Sequence, residues 1–600
     1  MAARSPVTAA LACGLVLSIV IAPATGAPVA TGHGGAVATI SAQASQAALT
    51  TLNNGGNAVD AAVAAAATLG VTDPFSCGIG GGGFMVIYLA KDKRVITIDH
   101  RETAPAKAGP TLFERDGKPI DFDTAVASGA AVGVPGTVRG WHEALERYGS
   151  MRFAQVLAPA IAVADTGFRV NATFNGLVNQ NLGKFRQFTP TSALYLHNGK
   201  AIPTGTLLRN PDMARAYRAI ASGGVKAFYE GPMARAIVDT VNRPPVAKGV
   251  SVRAGTMTLA DLANYEARIR PALRSTYRGY ELYGMPLPSS GGATVAHALN
   301  ILEGYDLKAL PRAQAEHLYI EASRFAFADR NAYLADPEYI DAPLAGFLSK
   351  DFAATRRALI SLQKAAPGAV AAGNPYAFQN DPSVPLLPPV RASIRPPPES
   401  LHTTHLTVSD KDGNVVAYTF TIESWGGSGI VVPGYGFLLN NEMTDFDFAG
   451  PHPNVPEAGK RPRSSMAPTI ALKDGKPAFS VGSPGGATII TTVLQTIVNH
   501  VDFNMPMNQA LDAPRISQRN APADAPRISQ RNAPATSVEP GFAGSAQATA
   551  LTRFGQRWES PPEEIGAANA LVFNPDGTVT AVTESKRHGA GTALVQRRGH

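Results

Sequence analysis

A proline run and an alternating strand meet between Pro396 and Val408, and this junction constrains the chain more than any other feature. Pro396-Pro397-Pro398 has no backbone N–H to give a sheet or helix. Directly after it, Leu401-His402-Thr403-Thr404-His405-Leu406-Thr407-Val408 opens an alternating strand, and Asp410-Lys411-Asp412-Gly413-Asn414 supplies a turn. A hairpin is therefore expected, with Thr421, eighteen residues after Thr403, on the returning strand and within reach across the ladder. A threonine at such a break can become a new N-terminus if the chain is cut before it. Its α-amine, with a pKa near ~8, then serves as base for its own hydroxyl, and no histidine is required. Taken alone, Thr-Thr-His is also ordinary strand content, because β-branched residues favour strands.

The downstream motifs separate these readings. They are Thr419-Phe420-Thr421-Ile422-Glu423, the run Gly434 to Phe446 containing Asn440-Asn441-Glu442-Met443-Thr444-Asp445, then Lys460-Arg461-Pro462-Arg463-Ser464-Ser465-Met466 and Gly482-Ser483-Pro484-Gly485-Gly486-Ala487. In identity and order they resemble the γ-glutamyltranspeptidases (γ-glutamyltransferases, glutathione hydrolases) of the N-terminal nucleophile hydrolases. The resemblance runs from about residue 33 to the C-terminus. It implies an α+β fold, a four-layer αββα sandwich made by two subunits cut from one precursor. The large subunit would be 28–402, with 366–402 as a proline-, alanine- and glycine-rich arm, and the small catalytic subunit 403–600.

Site roles follow residue by residue. Cleavage between His402 and Thr403 would pass through an ester made by N-to-O acyl shift, after which Thr403 is the nucleophile and Thr421 its support. Gly485 and Gly486, at a helix start, would form the oxyanion hole. A γ-glutamyl donor carries an α-carboxylate and an α-ammonium. Arg101, Ser464 and Ser465 match the carboxylate-binding positions, and Glu423, Glu442 and Asp445 would hold the ammonium. Two departures stand out: Glu423 where many members have Asn, and Arg463 where many have Leu. The stretch Phe446 to Lys460 is shorter than in members with a lid, which implies an open pocket and strong hydrolysis. Expected partners are glutathione and other γ-glutamyl compounds, amino acid or dipeptide acceptors, and the two subunits themselves. Two other readings stay open: a related cephalosporin acylase or polyglutamate depolymerase, and an uncleaved, inactive binding protein.

No cofactor is implied. His402 and His405 form an H-x-x-H pair, but three-residue spacing on a strand points them to opposite faces, so no metal site is expected. Gly78, Gly80 and Gly83 mimic a dinucleotide-binding pattern; the following Phe84–Leu89 reads as a strand where a phosphate cradle needs a helix. Across 600 residues with 45% hydrophobic content and a net charge of +7, no basic block appears, so nucleic acid is not an expected partner.

The N-terminus reads as a secretory signal: Arg4, an apolar core from Ala9 to Ala22, and small residues allowing cleavage after Ala24 or Ala27. This predicts a signal at 1–27, no stable membrane span and a periplasmic or secreted product. The two cysteines are Cys13 and Cys77, so removal of the signal leaves no disulfide. Finally, Asp512 to Ala523 repeats without change as Asp524 to Ala535. A single twelve-residue tandem copy at 512–535 is too little for a solenoid. One copy is expected in the native place, with the other looped out.

Overall fold

The structure, a computed structural model, describes residues 28–379, 402–448, 450–520 and 536–597. The signal segment, most of the arm and the second repeat copy lie outside the described residues.

Two antiparallel seven-stranded sheets face one another. The first runs Arg268–Pro271, Arg94–Asp99, Gly82–Leu89, Val415–Thr421, Thr404–Ser409, Ala36–Thr39, Thr592–Val595. The second runs Val29–Gly32, Val579–Thr583, Asn569–Phe573, Lys476–Gly482, Thr469–Lys473, Tyr280–Gly284, Leu273–Tyr277. Helices Ala42–Asn53 and Ala58–Thr72 cover the outer face of the first sheet. Helices Gly291–Leu302 and Thr488–Val501 cover the second, backed by Arg312–Tyr333. The result is four layers.

The alternation of the central strands follows from this arrangement. Val416, Tyr418 and Phe420 pack toward the helices, whereas Val415 and Ala417 meet Ile470 and Leu472 of the facing sheet. A strand covered on both faces has no solvent side, so Thr404–Ser409 and Val415–Thr421 are buried throughout.

Local chemistry sets the breaks. The alanine-rich segment splits at Gly55, which has φ +89°, and restarts at Asn57. The Asn57 side chain accepts from Asp60 N while Asp60 accepts from Asn57 N at 2.8 Å, a reciprocal cap. In the hairpin, Asp410 accepts from Asp412 N and Asn414 N, both at 3.0 Å, and Gly413 takes φ +88°. Glycine-rich Gly78–Gly83 leads into the strand Gly82–Leu89, as the sequence reading required. Cys77 is free and buried, its thiol pushed well up by burial and by nearby Asp73.

The first repeat copy is packed as far as Asn520. Ile516–Ser517 pairs with Ser537–Val538, and Arg515 N donates to Glu539 at 2.9 Å. Among the described residues no helix is long and apolar enough to cross a membrane.

Candidate active site

The hairpin register pairs Thr404 with Phe420, which makes Thr403 and Thr421 the next facing pair at its open end. The Thr403 hydroxyl donates to Thr421 Oγ1 at 3.1 Å, and the same oxygen accepts from Glu423 N at 2.9 Å. Thr403 sits at φ +118°, a strained conformation for a β-branched residue.

The residue before it is held just as closely. The His402 carbonyl accepts from Gly485 N at 3.2 Å and Gly486 N at 3.4 Å. These N–H groups precede helix Thr488–Val501, and φ values of +133° and +54° are tolerated because both residues are glycines. Two hydroxyls and two backbone N–H donors thus converge on one peptide bond. The His402 ring packs against Trp425 at 4.3 Å, and Trp425 stacks on His588 at 4.7 Å. Lys184 fixes this loop by donating to Trp425 O at 2.7 Å and Gly427 O at 2.8 Å. Burial, then Lys184 and His588, hold His402 well below the ordinary imidazole range, so it is neutral.

Thr403 opens into a cleft of about 480 Å³ that reaches solvent. Arg101, Glu423, Glu442, Asp445, Ser464, Ser465 and Gly486 all line it, so the structure brings these expected site residues together. Their pairing is more specific than the sequence indicated. Buried Arg101 donates to Glu442 and Asp445 and to the carbonyls of Pro462 at 3.2 Å and Arg463 at 3.3 Å. The expected carboxylate binder and two expected ammonium binders thus form one ion cluster. Glu423, at φ +74°, has its carboxylate held by Ser424 and Asn441.

Glu102 is a component without an assigned role in the sequence reading. It is buried beside Arg101, and its carboxyl faces that of Glu442. Burial pushes it up to about 7 against the pull of Arg101. Glu442 is likewise pushed well above the carboxylate range by burial, with Arg101 opposing and Glu102 adding. Two buried carboxyls facing each other, with a single guanidinium bonded to one of them, retain a proton.

The pocket also holds Arg463, Met466 and Ile489, and among the described residues none of its lining comes from the stretch 447–459. His405 takes no part in the cleft; its Nδ1 pairs with Thr419 Oγ1 at 2.8 Å inside the sheet.

The family model for gamma-glutamyltranspeptidase matches residues 44–594. The chain belongs to the gamma-glutamyltranspeptidase family. Relatives within this family include the glutathione hydrolase proenzyme of Bacillus subtilis (strain 168), 37% identical over 573 residues, covering 94% of this chain and 92% of that protein. The acylase ACY 1 proenzyme of Pseudomonas sp. (strain SE83) is 36% identical over 576 residues, covering 94% of each. Among solved structures, the cephalosporin acylase from Bacillus halodurans superposes with a TM-score of 0.80 at 26% identity, covering 95% of this chain and 97% of that one.

Proposed function

We propose that this family member is a γ-glutamyltransferase and glutathione hydrolase that matures by cutting its own His402–Thr403 bond. One observation carries the reading: the His402 carbonyl rests on the Gly485 and Gly486 N–H groups while the adjacent Thr403 hydroxyl is bonded to Thr421. Attack by Thr403 Oγ1 on the His402 carbonyl carbon places the developing oxyanion on those donors. The hydroxyl proton passes toward Thr421, and the Thr403 nitrogen leaves with a proton, giving an ester. Water then releases the His402 carboxylate and the Thr403 α-amine.

In the mature enzyme that amine takes the proton of the Thr403 hydroxyl. The hydroxyl attacks the γ-carbonyl of a donor such as glutathione, the donor amine departs protonated, and a γ-glutamyl ester remains on Thr403. Water gives glutamate; an amino acid or dipeptide amine gives the transfer product. Arg101, Ser464 and Ser465 are assigned to the donor carboxylate, and Glu423, Glu442 and Asp445 to its ammonium. That no described residue from 447–459 lines the cleft supports an open, hydrolysis-prone pocket. On this reading the sandwich is assembled from a 28–402 and a 403–600 subunit. The leading segment directs the product to the periplasm or outside the cell.

The 36% identity to an acylase favours one alternative, in which the donor lacks the amine. The test is a denaturing gel with N-terminal sequencing, followed by assay on γ-glutamyl and glutaryl anilides. A small chain beginning Thr403-Thr404-His405 that prefers the γ-glutamyl donor is expected. An uncut, inactive chain refutes the enzyme reading, and preference for the glutaryl donor replaces it with the acylase.

A further inference from the structure

We propose that Arg330 is a positioning residue for recognition of the donor α-carboxylate, acting through the Ser464–Ser465 pair. The inference rests on the γ-glutamyl reading above and adds a residue that lies behind the pocket wall rather than in it.

Arg330 belongs to the long helix Arg312–Tyr333 and is almost wholly buried. A buried guanidinium is costly unless its N–H groups are used. Nη2 donates to Ser465 Oγ at 2.6 Å, Nε to Ser290 Oγ at 2.8 Å, and Nη1 to Asn331 Oδ1 at 2.9 Å. Ser290 in turn donates from Oγ to Ser464 O at 2.7 Å and from its backbone N to the same oxygen at 2.8 Å. Ser464 N donates back to Pro288 O at 3.1 Å. One cation therefore holds both pocket serines, Ser465 by its hydroxyl and Ser464 through Ser290.

The polarity of these bonds gives the arrangement its chemistry. An Oγ that accepts from a guanidinium must direct its own hydrogen away from that cation. Its acidity as a donor rises because the accepted bond is charge-assisted. Ser465 lines the cleft, so this places a polarised donor where an anion is to be held. Arg330 also adds positive potential from behind. Arg101, by contrast, already spends its N–H groups on Glu442, Asp445 and two backbone carbonyls. The carboxylate contacts then depend on the two hydroxyls more than a single pocket arginine suggests. The partner group is a carboxylate on the donor's α-carbon; the α-ammonium gains nothing from Arg330.

The experiment compares Arg330→Met and Arg330→Lys with the parent, using the full chain after maturation. KM and kcat are measured on a γ-glutamyl anilide. Inhibition constants are measured for glutamate and for 4-aminobutyrate, which keeps the amine but lacks the α-carboxylate. Self-cleavage before Thr403 is followed on the same samples, because that step uses no free carboxylate.

For Arg330→Met, the donor KM and the glutamate inhibition constant should rise together by roughly tenfold or more, as expected for loss of a charge-supported hydrogen bond. kcat should stay within about twofold, the 4-aminobutyrate constant should stay unchanged, and Arg330→Lys should recover part of the loss. Equal weakening of glutamate and 4-aminobutyrate, or a loss confined to kcat, overturns the proposal, as does no change. If Arg330→Met fails to mature, Arg330→Lys and Ser290→Ala decide by the same comparison of inhibitors. Failure of the γ-glutamyl reading itself is recognised separately, because the parent then does not turn over the donor.

Discussion

The two halves of the cleft are built from opposite materials. Around Thr403 the working groups are neutral: two hydroxyls, two backbone N–H groups and a neutral imidazole, set on the central strands of a buried sheet and at a helix start. Across the cleft, Arg101, Glu102, Glu442 and Asp445 form a charged cluster, carried half by the loop after strand Arg94–Asp99 and half by the single 3-10 turn Glu442–Asp445. Self-cleavage and turnover both need a hydroxyl aimed at a carbonyl and donors for the oxyanion. Only turnover has a charged small molecule to recognise. On the proposed function, the neutral half serves two reactions and the charged half one.

The largest effect comes from the neutral half. Thr421→Val preserves shape but removes the oxygen that receives the Thr403 hydroxyl and the Glu423 N–H. Loss of a proton-handling partner costs about 10²-fold or more. Cleavage rate on a gel and turnover by the matured fraction should fall together, with Thr421→Ser recovering both. A fall in only one would break the division proposed above.

A smaller effect on one reaction alone is expected from Asp445→Asn. Its carboxylate pairs with Arg101 at the cleft rim, and its side chain is 21% exposed. The substitution leaves the hairpin and both glycines untouched, so maturation should proceed at the parental rate. kcat/KM for the γ-glutamyl anilide should drop about 10- to 100-fold, in line with hydrogen bonds to charged groups of about 1.5–3 kcal/mol. Impaired maturation would mean that the charged cluster supports the fold around Thr403 as well.

The neutral half was largely legible in the sequence. A turn residue at Gly413, strand alternation and an eighteen-residue spacing suffice to place Thr421 beside Thr403, because hairpin register is set locally. The Gly485–Gly486 pair stood out as glycines at a helix start, its oxyanion role implied by the family resemblance, and the structure shows both at positive φ. The charged half was legible only as a set of residues. That Arg101 pairs with Glu442 and Asp445, 341 and 344 positions away, depends on tertiary packing that no local pattern encodes. Arg330 lies in the long helix Arg312–Tyr333, but its link to Ser465 spans 135 positions and has no local signal. Glu102 adjoins Arg101 and had no signal of its own, since burial rather than sequence raises its pKa. The tandem repeat shows the opposite limit: two identical copies are plain in the sequence, and only packing of Arg515 against Glu539 assigns the first to the core.

The finest test uses pH. Glu102 is pushed up to about 7 by burial, against the pull of Arg101, and Glu442 rises with it. Below that value the pair keeps its shared proton; above it the cluster gains negative charge. The donor α-ammonium is still protonated there, so its binding strengthens and donor KM should fall as pH rises from about 6 to 8. The stability sign runs the other way. A carboxyl raised in the folded state binds more protons than it does unfolded between about 4.5 and 7. Folding is therefore progressively disfavoured as pH rises through that window, and the full penalty stands above it. Thermal midpoints should decline modestly from about pH 4.5 to 7 and level off above it, overlapping only the lower part of the range in which KM improves, and Glu102→Gln should flatten both profiles. Cleavage before Thr403, with His402 held neutral and Lys184, lowered to about 8 by burial, still protonated below that value, should proceed at a level rate from pH 6 to about 7. A cleavage profile that followed the KM profile would mean that the charged cluster acts on the nucleophile through the field of Glu102, and the two halves would then be one electrostatic unit.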